Sequence, residues 1–171
     1  KKQIQIISTP KGNSNAVGEH TLGLLLSLLN KISSSNIEVN DGIWERELNR
    51  GNELKNKTIG IIGYGYTGRS FAKKLKGFDV KAIYYDIKDV KKNKNARAVS
   101  LKSLKRSSDI ISIHTSVTKE SNSLINSRFI NSCKKPIWLI NTARGSCVNT
   151  SDLVDGLREG KILGAGLDVL E

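Results

Sequence analysis

The feature that most constrains the fold is a glycine-rich turn at residues 63–68, GYGYTG, set between two apolar segments. The segment before it, Thr58–Ile62, is short and rich in β-branched residues, which is typical of a buried strand. The segment after it carries Phe71, Ala72 and Leu75 at helical spacing. A strand, a glycine-rich turn and a helix in this order predict the start of a βαβ unit that can bind a dinucleotide.

The three glycines of this turn have separate physical tasks. Gly63 allows the sharp turn, Gly65 lets a pyrophosphate approach the backbone, and Gly68 lets the helix pack close to the sheet. The free N–H groups at the start of the helix and its dipole then favour the phosphates. Two alternatives stay open: a turn without a ligand, and the glycine loop of a kinase. The V-A-I-K, H-R-D and D-F-G motifs that a kinase would carry are absent from the sequence.

An acidic residue, Asp86, ends the next predicted strand, 18 positions after Gly68, close to the spacing of the dinucleotide-binding motif. Its carboxylate can accept hydrogen bonds from both hydroxyls of a ribose, and it would repel a 2′-phosphate. The sequence therefore favours NAD over NADP as the cofactor, although the nearby Lys88 weakens that preference.

The rest of the chain alternates between strand and helix patterns. Strands are predicted at Val80–Tyr85, Asp109–His114, Ile137–Asn141 and Ile162–Val169, and helices at Leu101–Arg106, Ser127–Cys133 and Ser151–Glu159. Other predictions are a strand over residues 3–8, a helix from an Asn15 N-cap to about Ile32, irregular chain over 33–56 and a charged loop over 87–98. This alternation predicts an α/β fold with a doubly wound parallel sheet of the Rossmann type.

Composition excludes several other classes of protein. No apolar run approaches the roughly 18 residues of a membrane span, and the first residues lack the apolar core of a signal peptide. The two cysteines form no metal-binding cluster, so we expect no metal, a reducing compartment and a cytoplasmic location. A net charge of +12 invites a nucleic-acid interpretation. Because the lysines are scattered, with few aromatic residues between them, we expect solvated surfaces and no nucleic-acid partner.

Five segments narrow the function further: residues 16–21 (AVGEHT), 63–68, 112–114 (SIH), 138–146 (WLINTARGS) and 164–169 (GAGLDV). Together they resemble the D-isomer-specific 2-hydroxyacid dehydrogenases over essentially the whole chain. The resemblance implies that residues 1–171 form the NAD-binding domain. It also implies a 2-hydroxy or 2-keto acid substrate, and substrate-domain segments on both sides of this chain. The absence of methionine and the initial lysine also suggest a segment of a longer protein.

The resemblance assigns roles to individual residues. Arg144 matches the catalytic arginine, which binds the substrate carboxylate and polarises the keto oxygen; a planar guanidinium is suited to both tasks. The other residues implied to contact or border NAD, beyond the three glycines, are Tyr66, Thr67, Asp86, His114, Thr118, Thr142, Ala143, Arg144 and Asp168.

The sequence also departs from the family. Ser116 stands where the family usually has proline. The family's catalytic glutamate and proton-donating histidine have no match, because Glu171 falls just before the glutamate position and His114 is a poor match for the donor. His20 is interpreted as structural. We therefore expect no useful turnover from residues 1–171 alone.

Two expectations concern partners. An NAD-sensing corepressor of the same fold is the alternative to an enzyme, because fold alone does not separate the two. A homodimer is expected because the helix that follows Asn15 and the loop with Trp44 carry more apolar residues than one sheet face needs. The resemblance implies that this region packs across a dimer interface.

Overall fold

The computed structural model describes Gln5 and residues 7–90 and 93–171. Its helices are α1 (Ser14–Leu29), α2 (Ile32–Asn40), α3 (Tyr66–Lys74), α4 (Leu101–Ser107), α5 (Ser127–Asn131) and α6 (Thr150–Arg158). Its strands are β1 (Thr58–Ile62), β2 (Lys81–Tyr85), β3 (Arg97–Ala98), β4 (Ile110–Ile113), β5 (Ile137–Asn141) and β6 (Ile162–Leu167). Short 3₁₀ turns follow α3 at Leu75–Gly77 and β5 at Gly145–Cys147.

The six strands form one sheet in the order β3-β2-β1-β4-β5-β6, and every neighbouring pair is parallel. The chain winds outward from β1 in one direction to β3, then crosses to β4 and winds in the other. Such a reversal leaves a crevice at the carboxyl ends of the strands where α/β proteins bind ligands. The predicted doubly wound parallel sheet is confirmed.

Helices cover both faces of the sheet because the strand residues are buried on alternating sides. Ile59 and Ile61 of β1 pack with α1 and α3 on one face, where Leu25 and Phe71 are fully buried. Ile62 belongs to the core of the other face, which α4, α5 and α6 cover. Continuous apolar runs such as IGII at residues 59–62 are therefore compatible with strands buried on both sides.

Several predicted boundaries are wrong in the first third of the chain. The N-cap of α1 is Asn13 rather than Asn15, and the helix ends at Leu29. A separate helix, α2, follows after Lys31, which adopts a left-handed conformation with φ of 52°. The segment predicted to be irregular therefore begins with a helix. Of the strand predicted over residues 3–8, Gln5, Ile7 and Ser8 lie outside any strand, and the remainder lies outside the described residues.

Differences further along the chain are smaller. The two-residue strand β3 lies within the predicted charged loop and pairs with Ile83 and Tyr84 of β2. The predicted strand Ile162–Val169 ends two residues early, at Leu167. Within Gln5, 7–90 and 93–171, no helix combines the length and apolarity required to cross a bilayer. The same residues contain no group of three or more His, Cys, Asp or Glu side chains placed to hold a metal ion.

Candidate functional site

The predicted site residues follow the carboxyl ends of five different strands. Residues 63–68 follow β1, Asp86 follows β2, His114 follows β4, residues 142–144 follow β5 and Asp168 follows β6. Because the strands are parallel, these ends share one edge of the sheet, which is where open α/β sheets place their ligands.

The turn after β1 depends on the small size of its glycines. Gly63 has a φ of +89°, and a Cβ there would lie 2.7 Å from the carbonyl carbon and oxygen of His114. A Cβ on Gly68 would overlap the carbonyl oxygen of Gly63. A Cβ on Gly65 would meet no atom within 4 Å, so this glycine faces open space. Gly63 and Gly68 are therefore required by the fold, whereas Gly65 leaves room for a ligand at the start of α3.

Asp86 is held by two backbone donors. Its Oδ2 accepts a hydrogen bond from the Tyr64 N–H at 2.7 Å, and its Oδ1 accepts one from the Lys88 N–H at 2.9 Å. Tyr64 itself is fully buried and stacks on Tyr84 with a ring-centroid separation of 3.8 Å. The carboxylate is thus tied to the glycine turn and oriented before any ligand arrives.

These residues surround a cavity of about 240 Å³. Predicted site residues in its lining are Gly63, Gly65, Asp86, His114 and Thr118. Apolar walls come from residues such as Ile62, Ile87 and Leu124. Thr118 is held by Ser121, because the Thr118 N–H donates to Ser121 Oγ at 2.8 Å and the Ser121 N–H donates to Thr118 Oγ1 at 3.2 Å. An apolar slot with a carboxylate at its rim and an open glycine beside it fits the adenosine and pyrophosphate of a dinucleotide.

His114 forms part of the cavity wall. Its side chain is buried, its Nε2 lies 2.9 Å from Ser112 Oγ, and its Nδ1 has no hydrogen-bond partner among the described residues. Burial lowers the pKa of His114 to about 4, so the imidazole is neutral at physiological pH. This residue is therefore a poor proton donor, as expected from the sequence.

The loop after β5 is folded around the buried side chain of Asn141. Asn141 Oδ1 accepts a hydrogen bond from the Ala143 N–H at 3.0 Å, and its Nδ2 donates to the Arg144 carbonyl at 2.9 Å. A Cβ on Gly145 would overlap the carbonyl of Leu170, so this loop also packs against the chain that follows β6. Arg144 is exposed, with Nη1 donating to the Ala143 carbonyl at 2.6 Å. The backbone around Arg144 is thus fixed while its guanidinium reaches solvent.

Two side chains of α1 contact this part of the edge. His20 Nε2 lies 2.9 Å from Asp168 Oδ1, and Thr21 Oγ1 lies 3.0 Å from Thr142 Oγ1. Sequence reasoning did not find either pairing, because the partners are 148 and 121 positions apart. His20 was interpreted only as structural.

The predicted residues therefore form two groups on one edge. The cavity group consists of Gly63, Gly65, Asp86, His114 and Thr118. Thr142, Ala143, Arg144 and Asp168 lie beyond β5 and β6 and line none of the described cavity. Tyr66, Thr67 and Gly68 begin α3 directly after the glycine turn, and Tyr66 is half exposed.

A family model described as D-isomer specific 2-hydroxyacid dehydrogenase, NAD binding domain, matches residues 22–171. The chain belongs to this family.

Individual members of the family agree with this assignment. A glyoxylate reductase from Thermofilum pendens is 43% identical over 100% of this chain and 53% of its own length. A hydroxypyruvate reductase from Thermotoga maritima is 33% identical over 100% of this chain and 56% of its own length. An NAD-dependent formate dehydrogenase from Staphylococcus aureus, solved in complex with NAD, superposes with a TM-score of 0.87 at 35% identity, covering 94% of this chain and 50% of that one.

The chain spans about half the length of these relatives. It is an NAD-binding domain of the D-isomer specific 2-hydroxyacid dehydrogenase family, and the prediction that it binds NAD is confirmed for the family. The family membership explains why backbone groups and glycines dominate one half of the edge, since a pyrophosphate is bound mainly by N–H groups.

Proposed function

We propose that the complete protein carrying this chain is an NAD-dependent oxidoreductase that interconverts a small 2-hydroxy acid and its 2-keto acid. Glyoxylate is the first substrate to test, because the 43% identical relative is named a glyoxylate reductase. The observation that supports this function best is the placement of Arg144 on a fixed loop, at the same sheet edge as the glycine turn and Asp86. When bound, the nicotinamide supplies or accepts the hydride.

The cofactor would be held along the whole edge. Backbone N–H groups of residues 65–67 would receive the pyrophosphate, and Asp86 would bind the adenosine ribose. His114 and Thr118 would border the cofactor from the loop after β4. At the other end, Thr142 and Ala143 would border the nicotinamide ring, and the Asp168 carboxylate would accept a hydrogen bond from its carboxamide. Two of these groups, Asp86 and Thr118, already have their orientation fixed by hydrogen bonds.

Arg144 would act on the substrate. Its guanidinium can fork onto the carboxylate of a 2-keto acid and polarise the adjacent keto oxygen, and it stays charged at any working pH. The proton that the developing alkoxide needs would come from a histidine outside residues 1–171, held charged by a glutamate that is also outside them. His114 is unsuited to that task because it is buried and neutral. The substrate-binding wall would likewise come from segments on both sides of this chain.

The test is NADH oxidation by the complete protein, followed at 340 nm with glyoxylate, hydroxypyruvate and 3-phosphohydroxypyruvate. We expect turnover of at least one of these keto acids, and binding of NADH without turnover by residues 1–171 alone, because the proton donor and a closed cleft are missing there. Turnover of none of several 2-keto acids would contradict the proposal. It would favour the NAD-sensing corepressor, an alternative that the comparisons do not support.

We also propose that the protein is a homodimer. A groove of about 900 Å³ runs between α1, α2 and the edge strand β6, and Leu24, Leu28 and Trp138 lie along it. Beside it, Trp44 is 79% exposed, and Ile37 is also exposed. Exposed apolar surface of this kind is typical of an interface between subunits. Sedimentation equilibrium that shows only monomers of the complete protein at high concentration would contradict this proposal.

The cytoplasmic location expected from the sequence stays a prediction.

A further inference from the structure

Helix α1 lies against β6 in a fixed register. A Cβ on Gly164 would lie 3.1 Å from Leu28 Cδ1, and a Cβ on Gly166 would lie 2.9 Å from Leu24 Cγ. Two leucines four residues apart on the helix therefore fit over two glycines two residues apart on the strand. The steps match, because four helical residues rise about 6.0 Å and two strand residues about 6.6 Å.

The next step in the same register brings His20 to Asp168. His20 precedes Leu24 by one helical turn, and Asp168 follows Gly166 by one strand repeat. The contact that this spacing requires is present, with His20 Nε2 2.9 Å from Asp168 Oδ1. The two side chains are 56% and 44% exposed, yet their meeting is determined by the close packing of the leucines and glycines rather than by chance at the surface.

In the hydrogen bond between His20 and Asp168, the imidazole is the donor and the carboxylate is the acceptor. An ionised carboxylate only accepts hydrogen bonds, so His20 Nε2 must carry the hydrogen and donate it. Among the described side chains, His20 is the only one that hydrogen bonds the Asp168 carboxylate. The Asp168 N–H donates to the Asn141 carbonyl at 3.0 Å, so its backbone is anchored to β5 while its side chain depends on His20.

Thr21, the residue after His20 on α1, contacts Thr142, which follows the neighbouring strand β5. Thr21 is fully buried, and its Oγ1 lies 2.7 Å from the Val17 carbonyl and 3.0 Å from Thr142 Oγ1. Since Thr21 Oγ1 donates its single hydrogen to Val17, the hydroxyl of Thr142 is the donor between the two threonines. One turn of α1 thus contacts the residues that follow both β5 and β6.

We propose that His20 is a positioning residue for the nicotinamide half of the cofactor site. By donating to one oxygen of Asp168, it sets the rotamer in which the other oxygen faces the sheet edge and accepts from the nicotinamide carboxamide. This inference rests on the proposed role of Asp168 and adds a specificity determinant outside the strand-end loops. It requires that His20 affect binding of the nicotinamide end of NADH and leave the adenosine end unaffected.

The experiment compares NADH with ADP-ribose, which lacks the nicotinamide, by titration calorimetry on the complete protein. The variants are His20→Ala, His20→Gln and Asp168→Ala. We expect His20→Ala to lower the affinity for NADH three- to tenfold, because it removes a hydrogen bond to a charged group. The affinity for ADP-ribose should stay within twofold of the parent value. His20→Gln should recover most of the loss, because an amide N–H can donate from nearly the same place. His20→Ala should add little to the effect of Asp168→Ala, because His20 acts on the cofactor only through that carboxylate.

Glu19→Gln is the matched control. Glu19 precedes His20 on the exposed side of α1 and pairs with Lys74, away from Asp168, so neither affinity should change. A purely structural role for His20 predicts equal losses for NADH and ADP-ribose in His20→Ala, and that result would overturn the inference. Normal NADH affinity in His20→Ala, with weakened affinity in Asp168→Ala, would overturn it too but leave the role of Asp168 intact. Normal NADH affinity in Asp168→Ala would instead remove the proposed function of that residue.

Discussion

The two halves of the carboxyl edge are built by different means. Around β1, β2 and β4, the site consists of glycines, backbone donors and a carboxylate held by two N–H groups, and it encloses a cavity. Beyond β5 and β6, it consists of residues positioned by Asn141 and by α1, of which Arg144 and Asp168 are exposed. In the proposed function, the first half would recognise its ligand through backbone shape. The second half would do so through side chains that are held by pairings across long stretches of sequence.

This difference predicts which substitutions should lower the stability of the fold and which should lower only ligand binding or reaction rate. A side chain added at a close backbone contact must displace the backbone, so the cost falls on stability. A side chain removed from an exposed loop leaves the packing unchanged, so the cost falls on the reaction. Four experiments test this division, beginning with the largest expected effect.

Arg144→Ala in the complete protein should lower kcat/KM strongly, by roughly 3–5 kcal/mol in transition-state stabilisation, because it removes a charge-paired contact to the substrate. Arg144→Lys should retain only part of the parent kcat/KM, because an ammonium group cannot form the two parallel hydrogen bonds that a guanidinium forms with a carboxylate. NADH affinity should stay nearly constant in both variants. Steady-state kinetics with a 2-keto acid provide the measurement, and near-normal kcat/KM in Arg144→Ala would remove this residue from the mechanism.

Gly68→Ala should destabilise residues 1–171 by about 3 kcal/mol, because the new methyl group overlaps the Gly63 carbonyl where α3 meets β1. Gly65→Ala is the matched control, since its Cβ meets nothing within 4 Å. That variant should stay within about 1 kcal/mol of the parent in urea unfolding yet bind NADH at least tenfold more weakly, because the methyl group occupies the pyrophosphate space. Equal stability of the two variants would contradict the division between fold and ligand glycines.

The buried imidazole of His114 should make stability depend on pH. Its pKa in the folded chain is about 4, whereas an unfolded histidine has a pKa near 6.5, so the unfolded state takes up the proton first as pH falls. The stability contributed by the neutral form is present above pH 6.5 and is lost as the pH falls towards 4. Urea unfolding should show a loss of roughly 1–2 kcal/mol between pH 6.5 and 5. His114→Gln should flatten this dependence, and an unchanged slope would show that other groups cause it.

Asp86→Asn should narrow the preference for NADH over NADPH by roughly fivefold, or about 1 kcal/mol, because the negative charge that repels the 2′-phosphate is removed. The Asn oxygen can still accept from the Tyr64 N–H, so the turn should keep its shape. Asp86→Ala also removes the acceptor for the Tyr64 N–H, so its affinity for NADH should be lower than that of Asp86→Asn. Fluorescence titration of both cofactors measures the ratio, and an unchanged ratio in both variants would contradict the role of Asp86.

The backbone half was predictable from the sequence because its determinants are local. Five residues of apolar strand, three glycines and a following helix define the turn between β1 and α3, and Asp86 follows at the end of the next strand. Helix α2 was missed for the opposite reason. Its sequence, ISSSNIEVN, buries no residue and therefore shows no apolar periodicity, and Ser34 and Ser35 instead hydrogen bond to the Lys31 carbonyl where the helix begins.

The side-chain half was predictable only through the family resemblance. The resemblance identifies Arg144 and Asp168 as site residues. It does not identify the residues that position them, Asn141 and His20. The pairing of His20 with Asp168 depends on the register of α1 over β6, which is a property of tertiary packing and leaves no local pattern in the sequence. The short strand β3 was missed because its two exposed residues, Arg97 and Ala98, carry no apolar signal.

Helix α1 touches β6 so closely that positions 24 and 166 cannot vary independently. In a combinatorial library selected for folding, we expect a larger residue at 166 to appear together with smaller ones at 24 and 140, and a larger residue at 164 together with a smaller one at 28. Such covariation would reflect steric volume rather than cofactor chemistry. A residue pair in the packing between α1 and β6 can then look as constrained as the site itself, because it sets how closely the helix approaches the strand.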